Sequence, residues 1–304
     1  MKFLLLSLTL FFLVSCGTQQ RLLETQQILQ QAKEGAVQER ELIDVTRQKT
    51  EQKLQDGEMD QTIKNDYDVV LKKLNADLEE IESRITTIEE YSKDKINFRG
   101  ANYENNIAGH VALLDSFNIL KEKREKVYEL VSEAITIRAF NLYKMAAFFA
   151  PGVYRIPHSA VPAINQTFLP ALDSIIYLAN KYDDIPRVAR LVFVGYADES
   201  PVAAGSSLYN ELSRYTNQQP PSREELNRVL SQLRANEMMR NMKTIITNNA
   251  SKFNSLPSLN INYHNYGRGE AYPNENIKDY QRDDERRRIV MFYWSVLPDV
   301  RSIN

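Results

Sequence analysis

The chain has 304 residues, of which 43% are hydrophobic and 26% are charged. This composition is typical of a soluble globular protein with one large domain or two ordinary ones. The formal net charge is −2, which excludes a global electrostatic attraction to nucleic acid or to an anionic membrane surface. We therefore expect no nucleic-acid partner.

The first residues of the chain depart from the soluble pattern. A positive start at Lys2 is followed by an almost unbroken apolar run, Phe3–Val14. This run is too short to span a bilayer core of about 30 Å, and its length and charge order are typical of a secretory signal. The run ends in Leu13-Val14-Ser15-Cys16, which contains the only cysteine of the chain. This string resembles the lipobox of bacterial lipoproteins.

The lipobox resemblance implies that residues 1–15 are removed as a signal peptide and that Cys16 carries the lipid. An uncleaved membrane anchor with an incidental thiol is the alternative. No acidic residue stands close after Cys16. By the same resemblance, the expected location is the outer membrane, with the protein lipid-anchored and facing the periplasm.

Residues 17–150 contain no proline, whereas all 11 prolines lie at or beyond Pro151. A long proline-free stretch rich in Glu, Lys, Gln, Leu and Ala predicts helices. Turns are expected at Asp56-Gly57 and at Asn97–Gly100, with a third helix over 105–138. Apolar residues recur every three or four positions, for example at Ile63, Tyr67, Val70, Leu74, Leu78, Ile81, Ile85 and Ile88. This spacing indicates a helical bundle or coiled-coil spacer over 16–140, either extended or compact.

Beyond Pro151 the pattern alternates between strands and helices, which predicts a second domain over 141–304. Strands are expected at Arg190–Tyr196, Ser258–Tyr266 and Ile289–Val296, and helices at about 165–182 and 223–249. Residues 139–156 are expected to end the third helix, to begin the sheet, or to do both.

Four short strings in this second half are informative together. They are Gly195-Tyr196-Ala197-Asp198, Asn227-x-x-Leu230-Ser231-x-x-Arg234-Ala235, Gly267-Arg268-Gly269-Glu270 followed by Pro273, and Arg286-Arg287-Arg288-Ile289. In this order they resemble the motifs of OmpA-like peptidoglycan-binding domains. The resemblance covers about half of the chain and implies an α+β fold: a long-helix bundle followed by a βαβαββ domain with a mixed sheet.

The resemblance also implies roles for individual residues. Asp198 would accept hydrogen bonds from an ammonium group of a stem peptide, typically on diaminopimelate. Arg234 would grip a carboxylate through two parallel hydrogen bonds. Asn227 would support the loop or bond the ligand, and an arginine of the 286–288 run would add a carboxylate contact. The expected ligand-binding residues are therefore Asp198, Arg234, Asn227, Arg287 and Arg288, with loop and turn support from Gly195, Ser231, Gly267 and Gly269.

The chain departs from the family pattern in several places. The segment at about 199–226 is an insertion beside the proposed pocket, with a short helix predicted over Ala203–Arg214. Arg286 replaces a common Asn, and Asp283-Asp284-Glu285 adds negative charge nearby. Taken alone, an Asp after a strand is usually a turn or cap residue, and a helix Arg is usually a surface side chain.

No catalytic pattern is visible. The three histidines have no metal-ligand spacing, and the sequence has neither a Walker loop nor a Gly-x-Ser-x-Gly elbow. We therefore expect a binding protein without cofactor or metal, which tethers the membrane to the wall by non-covalent binding of the stem peptide. The alternative is a periplasmic scaffold or assembly factor, in which residues 20–140 bind a protein partner or self-associate.

Overall fold

The computed structural model describes residues 2–137, 149–217, 219–249, 259–274, 277–299 and 301. Over these residues the fold is α+β and mostly helical, with eight α-helices and one small three-stranded mixed sheet. The helices are α1 (Lys2–Gln55), α2 (Gln61–Ser92), α3 (Gly100–Asn106), α4 (Ala108–Ile119), α5 (Lys121–Thr136), α6 (Val161–Lys181), α7 (Ser207–Ser213) and α8 (Arg223–Asn248). The strands are β1 (Arg187–Gly195), β2 (Leu259–Gly267) and β3 (Val290–Pro298).

The chain forms two compact units. The first comprises Met1–Gln48 and Asp68–Glu129, and the second comprises Lys49–Tyr67 and Leu130–Asn304. This division differs from the boundary at 140/141 that the sequence suggested. The reason is that Lys49–Tyr67, which contains the turn between α1 and α2, packs in the second unit together with the sheet.

The first unit is built from the helices that the proline-free stretch predicted. Its interior contains the later part of the predicted apolar stripe, Val70, Leu74, Leu78, Ile81, Ile85 and Ile88. It also contains Glu39, of which only 8% is exposed. The Glu39 carboxylate accepts hydrogen bonds from Arg124 Nε at 2.8 Å and from the Tyr128 hydroxyl at 3.1 Å. A buried carboxylate needs such donors, because without them its desolvation would strongly destabilise the unit.

The single helix predicted over 105–138 is wrong, because this stretch is divided into α3, α4 and α5. The breaks lie at Ile107, with φ −122°, and at Leu120, with ψ 7°. At the second break, Arg124 Nη1 donates to the carbonyl of Phe117 and thereby binds one of the carbonyls left without a partner at the end of α4.

The sheet has the strand order β2-β1-β3. β1 runs parallel to β2, with Gly195 opposite Gly267, and antiparallel to β3, with Gly195 opposite Val290. The last five residues of β1 are all buried, since it is the central strand. Consequently, the ends of β1 and β2 and the beginning of β3 meet at one edge of the sheet.

Both faces of the sheet are covered. On one face lie α6 and α8, and the rings of Phe168, Phe193 and Phe292 pack there with centroids 5.0–6.3 Å apart. The other face is covered by the segment Lys49–Tyr67. There the Tyr67 hydroxyl lies 2.8 Å from Ser295 Oγ, and Arg190 binds Asp66 through two bonds of 2.6 and 2.9 Å.

The second-half strands and helices lie close to their predicted positions, and the predicted helix at 203–214 is present as α7. Of the range 139–156, where a first strand was one of the expected outcomes, residues 139–148 lie outside the described ones, and residues 149–156 contain no strand. Among the described residues, no helix has both the length and the apolar character needed to cross a bilayer.

Candidate functional site

The four strings that carried the family resemblance converge at one edge of the sheet. Gly195 ends β1, Gly267 ends β2, and Ile289 immediately precedes β3. Backbone hydrogen bonds connect the three loops: Arg268 N donates to Gly195 O, Ala197 N to Gly269 O, and Tyr196 N to Ile289 O, at 2.8–2.9 Å. Parallel strands with one antiparallel neighbour place these loops together, so the topology explains the convergence.

The glycines at this edge allow α8 to approach the sheet closely. A Cβ on Gly195 would lie 1.9 Å from the carbonyl oxygen of Ser231, and one on Gly267 would lie 2.3 Å from Ser231 Oγ. Ser231 Oγ also accepts a hydrogen bond from Gly269 N at 2.9 Å and donates to Arg228 O at 2.7 Å. These residues thus connect α8 to the loop that follows β2.

Arg234 lies beneath this edge and has an exposure of 0%. Its guanidinium donates to three backbone carbonyls: from Nε to Val153 at 3.0 Å, from Nη1 to Tyr196 at 3.0 Å, and from Nη2 to Ala150 at 3.3 Å. Burial lowers the pKa of Arg234 to about 10, against the attraction of the Asp198 charge. The group therefore remains a cation at neutral pH, surrounded by neutral acceptors.

Asp198 is bound to an arginine other than Arg234. Its Oδ2 accepts from Arg288 Nη1 at 2.7 Å, while its Oδ1 accepts from the backbone N of Ser200 at 3.3 Å. The side chain of Asp198 is 4% exposed and that of Arg288 is 12% exposed. The same Nη1 also donates to Asp283 O at 2.9 Å. Within the described part of the chain, the buried Nε of Arg288 has no hydrogen-bond partner.

A second network surrounds this ion pair. Arg287 Nη1 donates to Glu199 at 2.8 Å, and its Nη2 donates to Glu270 O. Asn227 Nδ2 donates to Glu270 Oε1 at 2.7 Å and to Ser200 O at 3.2 Å. The bond from Arg287 lowers the pKa of Glu199. These residues hold the loops after β1 and β2 against each other.

The residues predicted to bind the ligand therefore differ in their hydrogen-bond partners. It brings Asp198 together with Arg288 at the loop edge, whereas the guanidinium of Arg234 is already bound to carbonyls. Arg287 and Asn227, both 1% exposed, have internal partners. Sequence reasoning missed Glu199 and Glu270 as partners of these groups, although Glu270 stands within one of the four strings.

The insertion at 199–226 is packed rather than loose. Leu212 of α7 forms a buried cluster with Leu226, Val229 and Leu230, which lie on α8. Ser222 caps α8 by accepting from Glu225 N at 3.2 Å, and acidic residues occupy the first turn of the helix. Because α7 packs on α8, the insertion extends the helical layer beside the site.

One carboxylate of the acidic run before β3, that of Asp284, is paired with a neighbouring arginine. Asp284 binds Arg286 at 2.5 Å and accepts from the backbone N of Arg286 at 2.8 Å, which caps the 3₁₀ turn Glu285–Arg287. These bonds lower the pKa of Asp284 to about 2.

Among the described residues, no cluster of His, Cys, Asp and Glu side chains could hold a metal ion. No family model matches the chain, and no curated protein or solved structure matches it. The feature on which a function can be based is the contact between an acid and a guanidinium, Asp198 and Arg288, at the edge of the sheet where three loops meet.

Proposed function

We propose that this protein is an outer-membrane lipoprotein that binds the stem peptide of peptidoglycan non-covalently and so tethers the membrane to the cell wall. We assign residues 141–304 to an OmpA-like domain of βαβαββ topology. The convergence of the four strings at one sheet edge supports this assignment, because each string alone is weak evidence and the four together are informative. The described strands, with one parallel and one antiparallel pair, form a mixed sheet of the kind that the assignment expects.

The observation that carries the proposal is the geometry of the Asp198–Arg288 pair. Both hydrogen bonds of the Arg288 guanidinium to described residues are made by Nη1, and its buried Nε has no partner among them. In this proposal a ligand carboxylate supplies the missing acceptor and binds the guanidinium through two parallel bonds. Oδ1 of Asp198 holds only a weak bond of 3.3 Å from Ser200 N, so it can accept from an ammonium group. An amino-acid zwitterion presents both of these groups.

We call the Asp198–Arg288 pair the receptor. Arg234 lies near this pair and stabilises the segment that carries it. It is a buried cation whose described hydrogen bonds all go to neutral carbonyls, so its charge favours an anion at the site. Its bond to Tyr196 O also fixes the segment that leads to Asp198. In this proposal Arg234 positions the loop and makes the electrostatic potential at the site more positive. Arg288 makes the contact with the ligand carboxylate.

Attachment to the membrane is assigned to Cys16. Acyl chains contribute about 0.8 kcal/mol per buried methylene group, so several chains hold a protein on a membrane essentially irreversibly. Along the chain, residues 16–140 separate the lipidated cysteine from the binding domain. The combination of one membrane attachment and one wall-binding domain gives mechanical coupling of the two layers.

Sedimentation with purified sacculi tests the proposal. We expect the detergent-solubilised full chain to pellet with sacculi, and Asp198→Asn to abolish pelleting because it removes the charge that holds the ammonium. Asp279→Asn is the matched control, since Asp279 is also paired with an arginine but is 76% exposed. Equal pelleting of both variants would refute the proposal, and wall-independent co-purification with another protein would favour the scaffold alternative.

A further inference from the structure

A polar cavity of about 410 Å³ lies beside the proposed receptor. One wall is the turn between α1 and α2, with Asp56 and Asp60. The opposite wall is formed by Tyr196 and by the loop after β2, with Arg268 and Tyr272. All of these residues belong to the second unit.

The cavity and the receptor share one residue. Tyr196 lines the cavity, and its carbonyl oxygen accepts the hydrogen bond from Arg234 Nη1 at 3.0 Å. Asp198 follows two residues later along the same segment. A ligand bound at Asp198 that extends beyond one amino acid can therefore continue into the cavity.

The lining favours a neutral ligand rich in hydroxyl groups. Asp56 and Asp60 disfavour an anion, whereas Arg268 opposes a cation. The Asp60 carboxylate is already occupied, because it accepts from the Tyr266 hydroxyl and from Thr62 N. Tyrosine rings together with carboxylate and amide groups suit a ligand that presents C–H and O–H groups side by side, as sugars do.

Tyr272 gives the cavity a fixed aromatic wall. Its side chain is 49% exposed, and its ring stacks parallel to Tyr280 with centroids 5.2 Å apart. The Arg287 guanidinium lies 4.7 Å from the Tyr272 ring centroid. These contacts order the ring before a ligand arrives, which reduces the entropy cost of binding. Tyr272 also borders a second cavity of about 320 Å³, so adjacent sugar units could contact the same side chain.

We propose that this cavity binds the N-acetylated sugars of the glycan strand, while the attached stem peptide occupies the Asp198–Arg288 pair. The inference rests on the proposed function and specifies its ligand further: a sugar–peptide unit instead of a peptide alone. It also gives the turn between α1 and α2 a role, since that turn supplies one wall of the sugar site.

Titration of the full chain in detergent with three probes tests this inference. The probes are a wall disaccharide–tripeptide fragment, the free tripeptide, and an N-acetylglucosamine tetramer. We expect the disaccharide–tripeptide to bind more tightly than the free tripeptide. Tyr272→Ala should weaken disaccharide–tripeptide and tetramer binding about three- to tenfold, the effect of one lost aromatic contact, and leave tripeptide binding unchanged.

Tyr215→Ala is the control, because Tyr215 is 59% exposed and lines neither cavity. Equal affinities for the fragment with and without the sugars would overturn the sugar site but leave the proposed function intact. If Tyr272→Ala weakened tripeptide binding as much as disaccharide–tripeptide binding, the cavity would be assigned to the peptide. That result would also overturn the sugar site. Absence of tripeptide binding by the unaltered chain would count against the proposed function, whereas Tyr272-dependent tetramer binding would still support the sugar site.

Discussion

At the residue scale, the site contains two kinds of side chain: those whose bonds stabilise the fold, and those that we propose bind a ligand. Arg234 and Arg287 are among the largest fully buried side chains of the described residues, and both bind internal oxygen atoms. Asp198 and Arg288 lie in contact with each other, and part of the Arg288 guanidinium remains without a described bond. The strings in the sequence predicted that these residues belong together. They did not predict which arginine binds Asp198, because several arginines have suitable chemistry and only the folded loops select one.

Arg234→Ala should lower the free energy of unfolding by about 3 kcal/mol or more. The substitution leaves three carbonyls without their donor, among them the buried carbonyl of Tyr196, and opens a cavity. Urea denaturation measures the effect. Arg228→Ala on the same helix is the control, because its side chain is 47% exposed and pairs only with Glu225, so a loss below about 1 kcal/mol is expected. Equal losses in the two variants would contradict the buried role of Arg234.

Asp284 should show a pH-dependent contribution to stability. Its pKa is lowered to about 2 from its ordinary value of 3.8, so the stabilisation is present above about pH 4 and is lost as the pH falls towards 2. Asp284→Ala, which removes both the cap and the ion pair, should therefore cost about 1 kcal/mol at pH 7, the usual effect of a lost cap. Carbon-13 NMR titration of the Asp284 carboxyl group checks the pKa. A midpoint close to 3.8 would show that the bonds to Arg286 are absent in solution.

At the element scale, the sequence predicted the strands and helices of the second half because their apolar periodicity is local. It did not predict that Lys49–Tyr67 covers the second face of the sheet. That packing depends on pairs such as Tyr67 with Ser295, which are 228 residues apart and leave no local pattern. The division of the third helix was missed for a similar reason, since its residues continue the helical spacing through both breaks.

Gly195→Ala should strongly destabilise the packing of α8 on the sheet. The added Cβ would lie 1.9 Å from the Ser231 carbonyl oxygen. This oxygen belongs to the backbone of α8, which cannot move away without a large loss of stability. We expect a loss of about 3 kcal/mol in urea denaturation. Gly109→Ala in α4 is the control, because its Cβ would meet nothing within 4 Å, and it should gain up to about 1 kcal/mol. A tolerated Gly195→Ala would disprove this close approach.

A double-mutant cycle tests the covering of the second face. Tyr67→Phe and Ser295→Ala each remove one partner of a buried hydrogen bond of 2.8 Å, so each should cost about 1 kcal/mol. The double variant should cost less than the sum, with a coupling of about 0.5 kcal/mol or more. Chemical denaturation of the four proteins gives the coupling. Strict additivity would mean that the two hydroxyl groups do not meet in solution.

At the scale of the whole molecule, the proposal combines a membrane attachment with a wall-binding domain. Cys16→Ser should release the protein from the membrane fraction, since it removes the thiol that would carry the acyl chains. Membrane fractionation with mass spectrometry of the amino-terminal peptide measures both effects. Ser15→Ala provides a control that keeps the thiol. Continued membrane retention of Cys16→Ser with an unprocessed amino terminus would instead support the uncleaved anchor.

The most direct measurement of the central claim is calorimetric titration of the full chain with a diaminopimelate-containing tripeptide. The unaltered protein should bind it, and Arg288→Lys should weaken binding about tenfold, because lysine keeps the charge but cannot form two parallel bonds to a carboxylate. Asp198→Asn should abolish binding. Unchanged affinity in both variants, with folding retained, would contradict the zwitterion receptor that Asp198 and Arg288 form in this account.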